Sequence, residues 1–199
     1  AAIDAATGET IWLFSPESRG NEAGEPAPPV SGSGRGVAYW TDGEQERIFH
    51  NISDARLVAL DAKTGDPIEG FGDNGQASVI LDVLRLRYPE VETAISMGYW
   101  FTTAPQIHDG VIYVGSTRSE SRIPGGHVLA VDAATGDVIW HFNTIPQDEN
   151  DQGWDIAGPT WVGGGREGGG GVLEDFDGVA GTEGGRFGGE GAGGHEEAD

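Results

Sequence analysis

Cysteine is absent from the 199-residue chain, and Lys63 is its only lysine. The first absence excludes a disulfide scaffold, a thiolate-ligated metal and a cysteine nucleophile, and it leaves the redox state of the compartment unreadable. The second belongs to a wider imbalance: 11 basic against 33 acidic residues give a formal net charge of −22. Phosphate backbones want a basic face, so nucleic acid is not an expected partner. No apolar run is long enough to span a bilayer as a helix. The first residues, Ala1-Ala2-Ile3-Asp4, lack the charged and apolar regions of a signal peptide and begin inside a motif, so the start reads as a cut.

What is abundant is acid and glycine. Like charges crowded on one small domain repel, whereas molar salt shortens the Debye length to about 3 Å and screens that repulsion. Acid-rich and nearly lysine-free is how a halophile surface looks; the plainer alternative is a mesophilic acidic protein with an acidic tail. Of the 35 glycines, 16 lie between Gly163 and Asp199, together with 9 acidic and 2 basic residues. A segment so poor in branched apolar side chains cannot offset its ordering entropy. Disorder is expected for 166–199, either as a linker or as the product of a GC-rich gene read out of frame.

The body of the chain repeats itself. Ala2-Ile3-Asp4-Ala5-Ala6-Thr7-Gly8-Glu9-Thr10-Ile11-Trp12 returns as Ala130-Val131-Asp132-Ala133-Ala134-Thr135-Gly136-Asp137-Val138-Ile139-Trp140. A weaker copy runs Ala59-Leu60-Asp61-Ala62-Lys63-Thr64-Gly65-Asp66-Pro67-Ile68-Glu69, with Glu69 in place of Trp; the three Asp are 57 and 71 residues apart. Each copy reads as strand, tight turn, strand. Asp and Thr can close the turn onto backbone N–H groups, Gly supplies a positive φ, and the indole can fill the space between sheets. Strands are expected at 36–40, 47–50, 56–60, 106–107 and 111–114, with Asp109-Gly110 as a hairpin dipeptide. Only 78–87 could form a short helix. Short strands in such repeats indicate an all-β fold, a partial β-propeller of about three four-stranded blades over 1–165.

Asp-x-x-Thr-Gly-x-x-x-Trp resembles the tryptophan-docking repeat of the pyrroloquinoline quinone (PQQ) dehydrogenases, eight-bladed propellers that oxidise alcohols or sugars. Arg35-Gly36-Val37-Ala38-Tyr39-Trp40 is similar to a segment of the quinoprotein alcohol dehydrogenases. Thr102-Thr103-Ala104-Pro105, Gly115-Ser116-Thr117-Arg118-Ser119-Glu120 and the stretch from Trp154 to Gly165 follow in the family's order. The resemblance implies PQQ and Ca²⁺ as cofactors, a small alcohol or sugar as substrate of the intact enzyme, and action outside the cytoplasmic membrane.

Residue by residue, the resemblance gives Arg35 a contact to the quinone, for which a guanidinium fork suits carboxylate and quinone oxygens. The alternative is a surface arginine in a Gly/Ser loop. Thr102 matches a threonine that hydrogen-bonds the cofactor, or is an ordinary strand residue. Thr117 and Ser119 match positions beside the cofactor's carboxylates. Glu120 falls where the family has a carboxylate ligand of Ca²⁺, a hard cation seeking oxygen, although the spacing to Asp132 is one residue longer; otherwise it is a solvated loop acid. Trp154 matches the indole stacked on the quinone, against packing between blades.

Pro29 and Val30 stand where the alcohol dehydrogenases have vicinal cysteines, as in disulfide-free branches that include sugar dehydrogenases. The family's asparagine ligand aligns with Glu167, and no catalytic aspartate follows. The expected reading is a fragment, inactive alone, whose open sheet edges invite partner strands or further blades. A non-enzymatic repeat scaffold that binds proteins and no cofactor is the alternative.

Overall fold

The computed structural model describes residues 1–16, 35–101, 103–116 and 125–161. The expected tail at 166–199 lies outside the described residues. Among the described residues, ten strands, two short α-helices and one 3-10 turn (Ile95–Met97) occur, the strands and α-helices in the order β1 (Ala2–Ile3), β2 (Thr10–Trp12), β3 (Ala38–Thr41), β4 (Glu46–Asn51), β5 (Leu57–Asp61), β6 (Gln76–Ala77), α1 (Val79–Arg85), β7 (Gln106–His108), β8 (Val111–Ser116), β9 (His127–Asp132), β10 (Val138–Asn143) and α2 (Trp154–Trp161). They form two four-stranded antiparallel meanders, β3-β4-β5-β6 and β7-β8-β9-β10, and a β1-β2 hairpin. Strands that pair in chain order, sheet after sheet, make propeller blades. The first of the three expected blades is represented by its hairpin alone, since β1-β2 carries the repeat that elsewhere in the chain lies on β9-β10.

Each Asp-x-x-Thr-Gly copy folds into the same turn. Asp4 Oδ1 accepts the N–H groups of Ala6 and Thr7 at 2.9 and 2.8 Å; Asp61 and Asp132 do the same two and three residues on. The Gly N–H returns to the Asp carbonyl at 2.8–2.9 Å in all three. Gly8, Gly65 and Gly136 sit at φ of 75, 78 and 83°, a region in which a Cβ costs about 1 kcal/mol or more. In the second copy the return strand shrinks to a single bridge between Leu60 and Pro67, because proline offers no N–H to a ladder. Asp109 and Gly110 both take positive φ, 48 and 74°, the backbone that a two-residue hairpin of the right twist needs.

The core fills the space between the two four-stranded sheets. Strand alternation turns Phe49, Leu57 and Ala59 of one sheet towards Ile112, Val114, Leu129 and Val131 of the other. Helix α1 closes one side with Val79, Ile80, Val83 and Leu84, all buried. Helix α2 went unseen in the sequence because Gly158 and Pro159 read as breakers. It starts with the N–H groups of Ile156 and Ala157 bonded to the Gly153 carbonyl, and Pro159 sits inside it.

The turns are where neighbouring sheets join. The Trp12 indole lies flat on Gly65, its ring atoms 2.5 Å from where a Cβ would stand, and its Nε1–H donates to the Ala62 carbonyl at 3.0 Å. The second copy has Glu69 instead of Trp, and two other residues divide the work. Phe71 approaches Gly136, and the buried Arg47 donates from Nη1 to the carbonyls of Ala133 and Ala134 at 2.7 and 3.1 Å. The Gly72 N–H completes the joint on the Thr135 carbonyl at 2.8 Å. Gly65→Ala should therefore cost more than Gly8→Ala. Both put alanine at positive φ, about 1 kcal/mol, but only at 65 does the methyl also collide with a packed ring, adding about 1–3 kcal/mol. Urea midpoints of the two variants measure the difference; equal midpoints would disprove the docking role of Trp12.

Candidate functional site

One end of each blade is taken up by the turns; the other end holds the candidate site. Arg35 enters β3 through Gly36, at φ 124°, whose missing side chain allows Ala104 to come within 3.4 Å of its Cβ position. His50 Nδ1 lies 3.1 Å from the Gly36 carbonyl, and the buried Asn51 donates from Nδ2 to the Thr103 carbonyl at 2.8 Å. These contacts hold the entrances of β3 and β7 side by side. Between them lies a hollow of about 460 Å³ lined by Arg35, Thr103, Ala104, Gln106, Tyr113, Val114, Gly115 and Val128.

Of the six residues singled out in the sequence, Arg35 and Trp154 are described, while Thr102, Thr117, Ser119 and Glu120 lie outside the described residues. The flanks of the two segments that contain those four are in view. Thr103 follows Thr102, and Gly115 closely precedes Thr117; both line the hollow that Arg35 faces. Ser116, at the end of β8, is buried with its Oγ lacking a hydrogen-bond partner. Trp154 is not among the lining residues. Its indole rests on Gly158 of its own helix, 2.5 Å from the Cβ position there. Among the described residues no cluster of three or more His, Asp or Glu side chains could hold a metal ion.

A guanidinium fork at the edge of the hollow can pair with carboxylate or quinone oxygens, and Tyr113 and Val128 supply an apolar wall. Gln106 and Tyr113, which the sequence reading did not single out, are direct cross-strand partners. The period-two pattern of β7 and β8 places them on one face, and that was the available signal.

A second cavity, of about 370 Å³, opens between α1 and the far edge of the second blade, beside Arg87, Tyr99, His127, His141 and Asp151. Arg87 bridges Asp148 at 2.7 Å and Asp151 at 3.2 Å, which pins the segment before α2 to the end of α1. The Tyr99 hydroxyl donates to the Gly125 carbonyl at 2.8 Å, and burial raises its pKa. His127 stands between the rings of Tyr99 and His141, at 5.3 and 6.1 Å, with a buried Nδ1 that has no partner.

Burial, and next the nearby His141, push the His127 pKa from 6.5 down to about 4. The unfolded chain then binds a proton that the folded chain refuses. The stabilising contribution is complete above pH 6.5 and is lost as pH falls towards 4, by roughly 3 kcal/mol. Replacing His127 with Leu should flatten the stability-versus-pH curve across that window, as measured by urea unfolding at half-unit steps. An unchanged slope would show that another group titrates there.

Residues 1–166 match the β-propeller domain of the glucose/ethanol/alcohol dehydrogenases, the family denoted PQQ. The chain is 33% identical over 188 residues to the dehydrogenase subunit of a quinone-dependent alcohol dehydrogenase of Gluconacetobacter polyoxogenes, covering 87% of this chain and 22% of the relative. It is 31% identical over 180 residues to a quinohemoprotein alcohol dehydrogenase of Pseudomonas putida, with the same coverage of 87% and 22%. The solved quinohemoprotein alcohol dehydrogenase of Comamonas testosteroni superposes with a TM-score of 0.47 at 25% identity, over 75% of this chain and 18% of that one. The chain thus spans about a fifth of the length of the curated relatives it matches. With a family match over most of the chain and blades of the expected topology, the protein belongs to the PQQ β-propeller dehydrogenase family.

Proposed function

We propose that this chain forms part of the quinone-binding end of a PQQ-dependent dehydrogenase acting on alcohols or sugars. The observation that carries this reading is the convergence of Arg35, Thr103 and Gly115 on one hollow, since these residues belong to three of the four segments that resemble the family's cofactor contacts. PQQ, when bound, supplies a two-electron acceptor for the hydride lost by an alcohol carbon. Arg35 would donate charge-assisted hydrogen bonds to the cofactor's oxygens, fixing its edge. Tyr113 and Val128 would shield one face from water. Thr102, Thr117 and Ser119 would add hydroxyl donors and Glu120 an oxygen ligand for Ca²⁺, while Trp154, whose indole packs on Gly158 and does not line the hollow, is given no part in it.

The proton acceptor for the substrate hydroxyl is not among the residues that this reading assigns. Residues 1–199 alone are therefore expected to bind cofactor without turning over. Titrating PQQ with Ca²⁺ into the chain should quench tryptophan fluorescence. Arg35→Ala should weaken binding about tenfold to a hundredfold, the worth of one charge-assisted contact, and Arg35→Lys should recover part of it. Dye reduction with ethanol or glucose should stay at background. Equal affinity for the Arg35→Ala variant would refute the site, brisk turnover would refute the fragment reading, and a complete lack of binding would favour a scaffold.

The acid excess is read as adaptation to high salt. Circular dichroism from dilute buffer to molar KCl should show folding improving with salt as repulsion is screened. Best folding at low salt would assign the charge to a mesophilic surface instead.

A further inference from the structure

Strand β4 turns alternate residues inward: Arg47, Phe49 and Asn51 are buried, while Ile48 and His50 are half-buried. The three inward side chains meet the second four-stranded sheet and its approaches at three points. Arg47 reaches the carbonyls of Ala133 and Ala134 at the turn end, Phe49 lies in the core, and Asn51 donates from Nδ2 to the Thr103 carbonyl at the opposite end, at 2.8 Å. Arg47 serves the joint between the sheets. Asn51 serves a different segment, because Thr103 and the adjoining Ala104 line the hollow together with Arg35. His50 points the other way from the same strand end and brings Nδ1 to 3.1 Å from the carbonyl of Gly36, the residue after Arg35. Two consecutive residues of one strand therefore hold two sides of the hollow, His50 the side of Arg35 and Asn51 the side of Thr103. Between those sides Ala104 stands only 3.4 Å from the Cβ position of Gly36.

Asn51 is a poor choice for stability alone. It is fully buried, and its Oδ1 has no hydrogen-bond partner among the described residues. A buried acceptor left without a donor weakens a fold, whereas an apolar side chain at the same place carries no such cost. Packing around it is supplied by Phe49 and by the ladder that pairs Asn51 with Leu57. What the amide adds, and a hydrocarbon could not, is a fixed distance between β4 and the segment at Thr103.

We propose that Asn51 and His50 are positioning residues for the hollow: together they set where Arg35 stands relative to Thr103, and so the affinity for PQQ. The inference rests on the reading of that hollow as part of the cofactor site. Neither side chain lines it, so each acts through a backbone carbonyl, Asn51 through Thr103 and His50 through Gly36. Arg35 is exposed, and a guanidinium whose backbone is already moored loses less freedom when it closes on an anion.

Titration of PQQ with Ca²⁺ into the full chain, followed by tryptophan fluorescence and set beside urea midpoints, tests the role. Leucine branches at the same carbon as asparagine. Asn51→Leu should hold the urea midpoint at the wild-type value or above it, since it removes the orphan acceptor and Thr103 is exposed enough for water to take its carbonyl. The same variant should weaken PQQ binding about tenfold. A residue that only braced the fold would do the reverse, lowering the midpoint and sparing the affinity of the folded chain. His50→Ala, at a half-buried position, should weaken binding about threefold to tenfold, and His50→Asn, which restores an N–H donor near the place of Nδ1, should recover most of it. In the Arg35→Ala background His50→Ala should add nothing, because it acts through Arg35. Without cofactor, the amide of Ala104, which shares a peptide group with the Thr103 carbonyl, should shift in the NMR spectrum of Asn51→Leu, and that of Val37 in His50→Ala. Variants that bind PQQ as the wild type does, a lowered midpoint for Asn51→Leu, or no recovery in His50→Asn would overturn the positioning role and leave the site standing. A wild-type chain that takes up no PQQ would overturn the site, and the role with it.

Discussion

The architecture depends on a carboxylate that ties its own backbone into a turn and, by doing so, exposes a glycine for an aromatic ring to sit on. Asp4, Asp61 and Asp132 each accept two amide hydrogen bonds, and the glycine four residues on has the only side chain small enough for both the positive φ and the close approach. Those amide bonds also hold the carboxylates of Asp4 and Asp61 ionised, lowering their pKa values. The turn is thus a polar device that presents an apolar surface. A propeller needs such a device because its blades touch through faces without sharing strands.

Where the turn meets its neighbour, chemistry can change while geometry stays. An indole offers a flat ring and one N–H; Trp12 uses both on the second turn. The second copy lacks the indole, and its two functions separate onto Phe71, which brings the ring, and Arg47, which brings the donors. Arg47 is buried, stacks 5.4 Å from the centre of Trp40 and also donates to Gln45 Oε1 at 2.7 Å. Burying a guanidinium is costly unless its protons are received; here two carbonyls and a side-chain amide receive those of the two Nη groups, while the buried Nε–H has no partner. In the β4-β5 ladder Arg47 pairs with Asp61, so the residue that clamps the third turn is next to the one that builds the second.

Much of this was legible in the sequence. The five expected strand segments overlap β3, β4, β5, β7 and β8, and the one expected helix overlaps α1, because period-two burial and the Asp-Gly dipeptide act through neighbouring residues. Arg35 was singled out through resemblance, and it lines a hollow with Thr103 and Gly115. Other features depend on residues far apart in the chain. Phe71 and Arg47 could not be matched to residues 133–136 by any local pattern, since 86 positions separate Arg47 from Ala133. The same holds for His127, whose depressed basicity comes from the burial created by Tyr99 and α1 and is invisible in its own strand. Helix α2 was missed for the opposite reason: its local signals, Gly158 and Pro159, argue against the structure it takes.

The division of labour between the two ends of the blades follows from the same constraint. All three turns, the Asp109-Gly110 hairpin and the Arg47 clamp lie at one end, where Ala133 N–H also bonds the Gly110 carbonyl at 2.9 Å. At the other end the ladders finish at Asn51, Ser116 and Asn143, and the sheets meet there through single contacts such as Asn51 to Thr103. Turn joints concentrated on one side leave the opposite end free of such turns, and loops on a rigid scaffold are where binding residues accumulate. Arg35 and the two segments that begin at Thr103 and end β8 at Ser116 all belong to that free end. Arg47 does the holding at the far end, and Arg35 lines the hollow at this one.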